Sequence, residues 1–383
     1  MQTSPIHFEH GDQALTLHRY PPEQRNRSLQ AWDAADELLI DYMQAHSTPS
    51  SLLILNDQFG ALACALHQYA PIVVTDSLLA KLALHYNLQQ NGLTEVTVRT
   101  ALDEWPTSEH ILLKIPNNHS YLRFQLRRLK ALVPAGSVIV AAAKAKDIHA
   151  NLLQIFQEEI GPTTASLTVK KCRLITAVAQ GAVNRHPNGQ FPKLWSIALP
   201  YHSSPALIAN HANVFSKDQL DIGARFLLDH LPTVVAGERV IDLGCGNGVL
   251  GLAMLQQQPD AHVVFTDESY MAIESSRLNV EQNIPQSLQH CEFIADDCLT
   301  SQADLTADWI ICNPPFHQQH AITDHIAWQM FTDARRVLKV GGRLRVVCNR
   351  HLDYGDKLSR LFGGCIHIAS NAKFTVLETI RRK

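Results

Sequence analysis

The sequence lacks any hydrophobic run of the length that a membrane span needs. A spanning helix takes about 20 consecutive apolar residues, and no stretch of the 383 residues approaches that length. The first residues also lack the basic-then-apolar order of a secretory signal. We therefore expect a cytoplasmic protein with no membrane association. With 46% hydrophobic and 18% charged residues, the composition is that of a globular chain.

Motifs for metal binding and redox chemistry are missing as well. The eight cysteines include no C-x-x-C pair, and the twenty histidines include no H-x-x-x-H or H-E-x-x-H arrangement. Cys312 and Cys348 stand inside apolar, strand-like runs. We expect reduced cysteines in the core and no bound metal.

A large excess of either charge is also absent, since the net charge is only -3. That value does not indicate a nucleic-acid binder, although a local basic face can still serve. The N-terminal half carries three basic clusters, which fit either an RNA-docking face or ordinary solvated helix faces and loops. They are Arg123, Arg127, Arg128 and Lys130, then Lys144 and Lys146, then Lys170, Lys171 and Arg173.

The sequence does contain the same order of predicted strands and helices twice. A break rich in Gly, Pro and Asn spans residues 180–192, and on each side of it apolar strands alternate with helical runs. This alternation predicts an α/β fold, with a parallel sheet and helices on both of its faces. The length suggests two domains, so we predict an internal duplication. The alternative is that unrelated α/β domains share the pattern. We set the domains at 1–185 and 199–383, with a linker at 186–198.

The two halves can be aligned through the residues that follow their strands and turns. The pattern pairs Asp76 with Asp267 and Gly136 with Gly342. It also predicts a helix over residues 61–69 and a turn at Gly341–Gly342.

In the second half, an apolar strand over residues 239–243 leads into a glycine-rich loop and then a helix. Asp242 stands at the strand end, and the loop consists of Gly244, Cys245, Gly246, Asn247 and Gly248. Glycines in this place let the backbone turn tightly and approach a ligand. The order D-x-G-x-G-x-G differs from the dinucleotide motif G-x-G-x-x-G, and Asp242 would repel a pyrophosphate. The loop suits a cofactor that carries an ammonium and a sulfonium.

Acidic residues follow the next two strands. Asp267, with Glu268 beside it, ends the second strand, where a carboxylate can accept both hydroxyls of a ribose. Capping the helix near Ser269 is the alternative role. Asp296 and Asp297 follow the third strand. Asp297 is the better acceptor for an adenine amino group, although a plain turn acid also fits.

Asn313, Pro314, Pro315 and Phe316 come directly after the fourth strand. The two prolines remove backbone donors and stiffen the chain, which fixes the direction of the preceding carbonyls. The Asn313 oxygen and the Pro314 carbonyl can each accept an N–H of a ring amine. That contact would turn the nitrogen lone pair towards a methyl sulfonium and stabilise the developing positive charge. Because Phe316 offers a ring for stacking the base, the tetrad predicts an amino-methylating site.

Together these motifs resemble the class I S-adenosylmethionine-dependent methyltransferases. Among them the chain is similar to the ribosomal RNA guanine-N2 methyltransferases of the RlmG/RsmC type, and more closely to their large-subunit branch. The likeness covers almost the whole chain. It is carried by residues 29–36, 53–61, 213–225, 242–248, 313–320 and 349–354.

The resemblance implies two tandem class I (Rossmann-like) methyltransferase domains, of which the first is degenerate. It also implies transfer of a methyl group from S-adenosylmethionine to a guanine N2 amine of 23S rRNA. In the second domain it places four residues over the methionine end of the cofactor, namely Phe215, Ser216, Asp221 and Gly223.

In the first domain Lys114-Ile-Pro-Asn117 replaces the tetrad, so that domain would have lost catalysis. It would then dock RNA or only support its partner, and its expected RNA contacts are Arg127, Arg128, Lys144 and Lys146. A 16S rRNA guanine-N2 methyltransferase and a protein-glutamine N-methyltransferase, which shares the Asn-Pro-Pro motif, remain as rivals.

Overall fold

A computed structural model describes residues 6–22, 29–46, 50–181, 191–201, 204–214, 219–315 and 320–383. The chain divides into two compact units, Met1–Asn188 and Gly189–Lys383. Within the described ranges, no helix combines the length and the apolar composition that a bilayer crossing requires.

The first unit contains a small hairpin and a seven-stranded sheet flanked by helices. Its strands are β1 (His7–His10), β2 (Gln13–Thr16), β3 (Leu52–Leu55), β4 (Ile72–Thr75), β5 (Thr97–Thr100), β6 (His110–Lys114), β7 (Val138–Lys144), β8 (Thr163–Ala165) and β9 (Cys172–Val178). Its helices are α1 (Ala34–Gln44), α2 (Ala61–Ala65), α3 (Leu78–Gln90), α4 (His119–Leu132) and α5 (Ala150–Glu159).

The second unit repeats this arrangement. Its strands are β10 (Lys193–Ile197), β11 (Ala206–Asn210), β12 (Arg239–Leu243), β13 (His262–Asp267), β14 (Cys291–Ala295), β15 (Ala307–Cys312), β16 (Leu338–Asn349), β17 (Ile366–Ser370) and β18 (Phe374–Ile380). Its helices are α6 (Ile222–Leu228), α7 (Val249–Gln257), α8 (Tyr270–Asn283), α9 (His320–Val337) and α10 (Tyr354–Phe362).

The two sheets have the same strand order. It is β5-β4-β3-β6-β7-β9-β8 in the first unit and β14-β13-β12-β15-β16-β18-β17 in the second. Five strands of each sheet run parallel, as predicted, but the last two add an antiparallel edge. In the second unit only a tight turn at Asn371 joins β17 to β18, and a short turn can connect antiparallel strands only.

The middle of each central strand is apolar because both of its faces are covered. Val240 of β12 packs into a core with α6, α7 and α8. The neighbouring Ile241 and Leu243 pack on the opposite face, with α9 and α10. The first unit has the same two layers. All eight cysteines are free and five of them are buried. The predicted duplicated α/β fold, with helices on both faces of each sheet, is thereby confirmed.

In each unit a buried asparagine of a helix forms paired hydrogen bonds with the backbone in or just after the small hairpin. We call this contact the asparagine clamp. Asn279 of α8 is fully buried; its amide accepts from Ala209 N at 2.6 Å and donates to Ala209 O at 3.1 Å. It also donates to the carbonyl of Asn247, in the glycine-rich loop, at 2.8 Å. Asn87 of α3 makes the same paired contact with His18 in the first unit. The clamp therefore belongs to the duplicated framework.

Hydrogen bonds correct the sequence alignment of the two halves by one residue at two places. The Ser269 N–H donates to Asp267, and the Ser77 N–H donates in the same way to Thr75. Thr75, and not Asp76, therefore corresponds to Asp267. Counting along the chain paired the two acids because both stand near a strand end, whereas the structural register follows the hydrogen bonds.

The second correction concerns the turn glycines. Gly136 and Gly341 both have positive φ, 89° and 86°. Each donates its N–H at 2.7 Å to a carbonyl of the antiparallel strand segment, Ala179 O and Arg381 O respectively. Gly341, and not Gly342, is therefore the counterpart of Gly136.

Three predicted boundaries also change. Residues 341 and 342 form no chain-reversing turn; they lie inside β16, where the register with β15 shifts. The predicted helix over 61–69 ends at Ala65, and a separate 3-10 turn follows at His67–Tyr69. The predicted linker 186–198 includes β10, which pairs with β11. The Gly- and Pro-rich composition just before β10 concealed this strand.

We predict that Asn279→Ala lowers the free energy of unfolding of the second unit by about 3 kcal/mol, because it leaves buried backbone groups unpaired. Asn283→Ala is the matched control. Asn283 bonds to Leu207 in the same way but is only half-buried, so a decrease of about 1 kcal/mol is expected. Chemical denaturation measures both decreases. Equal decreases would contradict the larger stabilising contribution that we assign to the buried Asn279.

Candidate cofactor and substrate site

The site lies at the carboxyl end of β12, between β13 and β15. After β12 the chain enters α7, which packs on one face of the sheet, and after β15 it enters α9, which packs on the other. Where successive helices leave on opposite faces, a crevice opens at the carboxyl ends of the strands. The glycine-rich loop and Asn313 both follow strands that end there.

The three loop glycines have left-handed backbones, with φ of 70° at Gly244, 56° at Gly246 and 74° at Gly248. Gly248 is packed most tightly, because a Cβ there would lie 2.7 Å from the Ser276 Oγ, and a Cβ on Gly244 would lie 3.2 Å from the Met330 methyl group. A Cβ on Gly246 would meet nothing within 4 Å. Gly246 therefore presents its backbone to open space, as a cradle for a ligand requires.

The non-glycine loop residues turn inward. Cys245 is buried with its Sγ 3.3 Å from the Ser276 Oγ, and burial raises the pKa of its thiol. Asn247 is also buried, and its side chain accepts from Val249 N at 3.3 Å. These side chains shape the loop, so any cofactor contact they make uses their backbone.

Asp242 is a buried acid with one oxygen unpaired. Its Oδ2 accepts from Gly251 N in α7 at 2.8 Å, while its Oδ1 is buried without a hydrogen-bond partner. Burial raises the pKa of this carboxyl to about 7. The acid is thus prepared to ionise when a positive charge or a donor reaches it.

Asp267 connects the loop to the next helix. Its Oδ2 accepts from Gly246 N and its Oδ1 from Ser269 N, both at 3.0 Å. Burial raises the pKa of Asp267 as well. Glu268 beside it is exposed. Together with Glu268 N, three backbone N–H groups bond to this carboxylate, which leaves acceptor capacity for a ribose hydroxyl.

The two later acids differ in their surroundings. Asp296 accepts from the backbone and hydroxyl of Ser301 with both oxygens, which is the pattern of a turn acid. The Oδ1 of Asp297 accepts from the side chain of Gln329 in α9, at 2.9 Å. Burial raises the pKa of both acids.

Asn313 is held in one orientation. Its Nδ2 donates to the Asp221 Oδ2 at 3.1 Å, and the same oxygen accepts from Ala224 N at 3.0 Å and so caps α6, in which Gly223 is buried. A carboxylate cannot donate, so the Asn313 oxygen must face away from it. That Oδ1 is buried without a hydrogen-bond partner. Pro314 is buried and Pro315 exposed, while Phe215, Ser216 and Phe316 lie outside the described residues.

The first unit fills the corresponding place with its own side chains. Asn56 replaces Gly244, keeps the positive φ of 63°, and exchanges hydrogen bonds with Gln125. Lys114 replaces Asn313 and binds Asp33 and Asp36 at 2.6 and 2.8 Å. Although burial opposes its charge, these acids raise the pKa of Lys114. The first unit therefore keeps neither the glycine at the position of Gly244 nor the asparagine at the position of Asn313.

One carboxylate contact survives in both units but comes from different positions. Asp57, in the loop before α2, accepts from Ala63 N at 2.8 Å. Ala63 occupies the helix position that Gly251 has in the second unit, where the acceptor is Asp242 on the strand. Burial raises the pKa of Asp57 to about 7 too. The helix start needs an acceptor in both units, and only the second unit supplies it from the strand.

Sequence reasoning missed several residues that build the site. Asn279 holds the loop, Ser276 packs against Gly248, and the Met330 methyl group lies near Gly244. His211 is buried with neither ring nitrogen hydrogen-bonded, and burial lowers its pKa. The signal for Asn279 was its spacing of one helical turn from Asn283. The others carried no local signal.

The predicted RNA-binding arginines are engaged inside the first unit. Arg127 pairs with Glu159 at 2.8 Å. Arg128 donates to the carbonyls of Ala101 and Asp103 and stacks over Trp105. Lys144 and Lys146 are exposed. Among the described side chains no group of three or more His, Cys, Asp or Glu is arranged to hold a metal ion.

Comparison with known proteins identifies both units. The RLMG N-terminal domain matches residues 5–181, and the methyltransferase small domain matches residues 206–378. A ribosomal RNA large subunit methyltransferase G from Pseudoalteromonas translucida is 47% identical over 97% of both chains. The protein of the same name from Klebsiella pneumoniae is 49% identical over 96% of both.

A solved structure agrees with the fold. The 16S rRNA N2 guanine methyltransferase of T. thermophilus, in complex with AdoMet and guanosine, has a TM-score of 0.75 and 20% identity, over 98% of this chain and 97% of that one. Fold and site together define a class I methyltransferase built on a duplicated α/β framework. Within that class, the chain belongs to the ribosomal RNA large subunit methyltransferase G family.

We predict that S-adenosylmethionine binding releases a proton from Asp242. With a pKa of about 7, this carboxyl is about half protonated at pH 7, and a cationic cofactor favours its ionised form. Cofactor affinity should therefore rise between pH 6 and 8. Calorimetry in buffers of different ionisation enthalpy should detect about half a proton released at pH 7.

Asp57→Asn is the matched control, because it removes an equally perturbed acid from the other unit. It should leave proton release unchanged, whereas Asp242→Asn should abolish it. Equal proton release by wild type and Asp242→Asn would show that another group titrates.

Proposed function

We propose that the second unit transfers a methyl group from S-adenosylmethionine to the exocyclic N2 amine of a guanine in 23S rRNA. The observation that carries this proposal is the buried, unpaired Oδ1 of Asn313, which the hydrogen bond to Asp221 turns away from that carboxylate. The names of the full-length relatives support the large subunit as the source of the substrate. Guanosine in the T. thermophilus complex supports a guanine as the target.

The residues of the crevice fit the cofactor. Backbone groups of Gly244 and Gly246 would follow its methionine portion, with Asp242 facing the positive charge. Asp267 and Glu268 would accept the ribose hydroxyls, and Asp297 the adenine amine. We assign Asp296 to the turn, because Ser301 occupies both of its oxygens. When bound, S-adenosylmethionine supplies a methyl group activated by its sulfonium.

Asn313 and Pro314 would act on the amine of the target base. That amine is a poor nucleophile, because its lone pair is delocalised into the purine ring. The Asn313 Oδ1 and the Pro314 carbonyl would each accept one N–H, which turns the lone pair out of conjugation and stabilises positive charge on nitrogen. Pro315 would stiffen the turn, and Phe316 would stack on the base. No strong general base is required, since the methylated amine loses its proton readily to water.

The target must enter the crevice as a single base. A guanine in a duplex has to be extruded to reach Asn313, so looped or single-stranded targets should react faster. For the first unit we propose RNA docking through Lys144 and Lys146. Arg127 and Arg128 would contribute there only by giving up internal partners. With rRNA as the substrate, we expect the reaction to take place in the cytoplasm.

We predict that Asn313→Ala lowers the rate of methyl transfer to 23S rRNA by 10² to 10³, roughly the effect of removing one preorganised polar group from an active site. Cofactor affinity should stay within about twofold of wild type. Labelled S-adenosylmethionine and mass analysis of the digested nucleosides measure both the rate and the product.

The matched control is Asn117→Ala, at the exposed fourth position of the first unit's replacement tetrad, which should keep full activity. An unchanged rate in Asn313→Ala would refute the role of the amide. Label found on 16S rRNA, or on a protein glutamine, would instead show that 23S rRNA is not the substrate.

We predict that Lys144→Gln/Lys146→Gln weakens binding to a 23S rRNA transcript. The slope of log affinity against log salt should become shallower by about 0.7 to 0.9 for each phosphate that the variant no longer neutralises. Lys81→Gln/Lys130→Gln changes the charge of the same unit equally and should have less effect. If the first pair leaves the slope unchanged, the first unit is a structural support.

A further inference from the structure

A basic cavity lies at the end of α9, in the second unit. It has a volume of about 260 Å³. Its lining includes four cationic side chains and no acidic one, in a chain whose net charge is -3. The lining residues are Arg335, Leu361, Phe362, Gly363, Arg381, Arg382 and Lys383.

The cations of this cavity differ from most others in the unit. Arg277, Arg336 and Arg345 all pair with acidic side chains. Arg335 and Arg382 are exposed, and across the ranges that the structure describes neither forms an ion pair. Their charge is therefore available to an anion from outside.

Arg381 lines the cavity. Its Nη1 donates to the carbonyls of Arg335 and Arg336, in the last turn of α9, and of Leu338, which begins β16, at 2.6 to 2.8 Å. Its Nε is buried without a hydrogen-bond partner. A buried atom is out of reach of a ligand in the cavity, so Arg381 contributes its positive charge and holds the end of α9 in place.

The cavity is remote from Asn313. The 18 residues of α9 span about 27 Å, and Arg335 stands in its last turn, whereas Asn313 precedes its first. A ligand that reaches both places must be long. A nucleic-acid strand is long enough to reach both places and carries a phosphate at every nucleotide.

We propose that this cavity binds a backbone phosphate of the rRNA substrate, separated from the target guanine by about the length of α9. The inference rests on the proposed function. Arg335 and Arg382 supply the charge for the phosphate, while Arg381 caps α9. The catalytic unit thus holds its RNA at two separated points.

The test compares Arg335→Gln/Arg382→Gln with wild type in binding to a protein-free 23S rRNA transcript over a range of salt concentrations. Arg381 is left intact because it caps α9. We expect affinity to fall roughly tenfold and the salt slope to become shallower by about 0.7 to 0.9 for one phosphate left without its cationic partners. Transfer at saturating RNA and affinity for S-adenosylmethionine should be unchanged.

Arg277→Gln/Lys373→Gln is the control, because it removes two charges from the same unit outside the cavity. Equal salt slopes for both variants and wild type would overturn the proposal. So would a defect that appears only when ribosomal proteins are present, which would indicate an acidic protein partner. If wild type itself fails to methylate 23S rRNA, the proposed function fails, whereas equal slopes with normal methylation refute the cavity alone.

Discussion

The hydrogen bond from the Asn313 amide to Asp221 is the contact on which the site depends. Because a carboxylate only accepts hydrogen bonds, it determines which end of the amide faces it and which end faces away. Asp221 is itself held by the first turn of α6, so a helix cap orients the proposed acceptor. The unpaired oxygen that results costs the free protein about 1 to 3 kcal/mol. A bound amine would recover this energy, which makes the acceptor complementary to the substrate before it arrives.

The duplication separates what the fold requires from what the chemistry requires. Both units share the strand order, the asparagine clamp and a glycine directly before a helix, which is Gly60 before α2 and Gly248 before α7. Packing and backbone hydrogen bonding depend on these features. An acceptor for the start of that helix is also kept, although Asp57 provides it in one unit and Asp242 in the other. Only in the second unit does this acid stand on the strand. The loop there needs no acidic side chain of its own, and Gly246 faces open space. Asn56 and Lys114 show how the first unit filled the same space once no ligand needed it.

Local charge in this protein bears little relation to its total. The arginines that form the most evident basic cluster of the sequence are neutralised by Glu159 or held by backbone carbonyls. Exposed cations stand elsewhere, among them Lys144, Lys146, Arg335 and Arg382. A guanidinium that pairs internally stabilises its own unit and offers little to an anionic partner, because its donors are already used. Ion pairing, and not composition, therefore decides which surfaces can attract RNA.

Much of the fold could be read from the sequence, because its signals are local. Apolar strands buried on both faces, the glycine loop after Asp242 and the tetrad that begins at Asn313 depend on neighbouring residues, and all were assigned to the correct elements. The antiparallel edge, the strand inside the expected linker and the pairing of Thr75 with Asp267 were not, since they depend on which distant strand supplies the hydrogen bonds. Fold class, family and the chemistry expected of the tetrad thus follow from the order of the residues alone. The folded chain was needed to see that Asp221 orients Asn313, that Cys245 and Asn247 face inward and which arginines are free, because each of these follows from contacts between residues far apart in the chain.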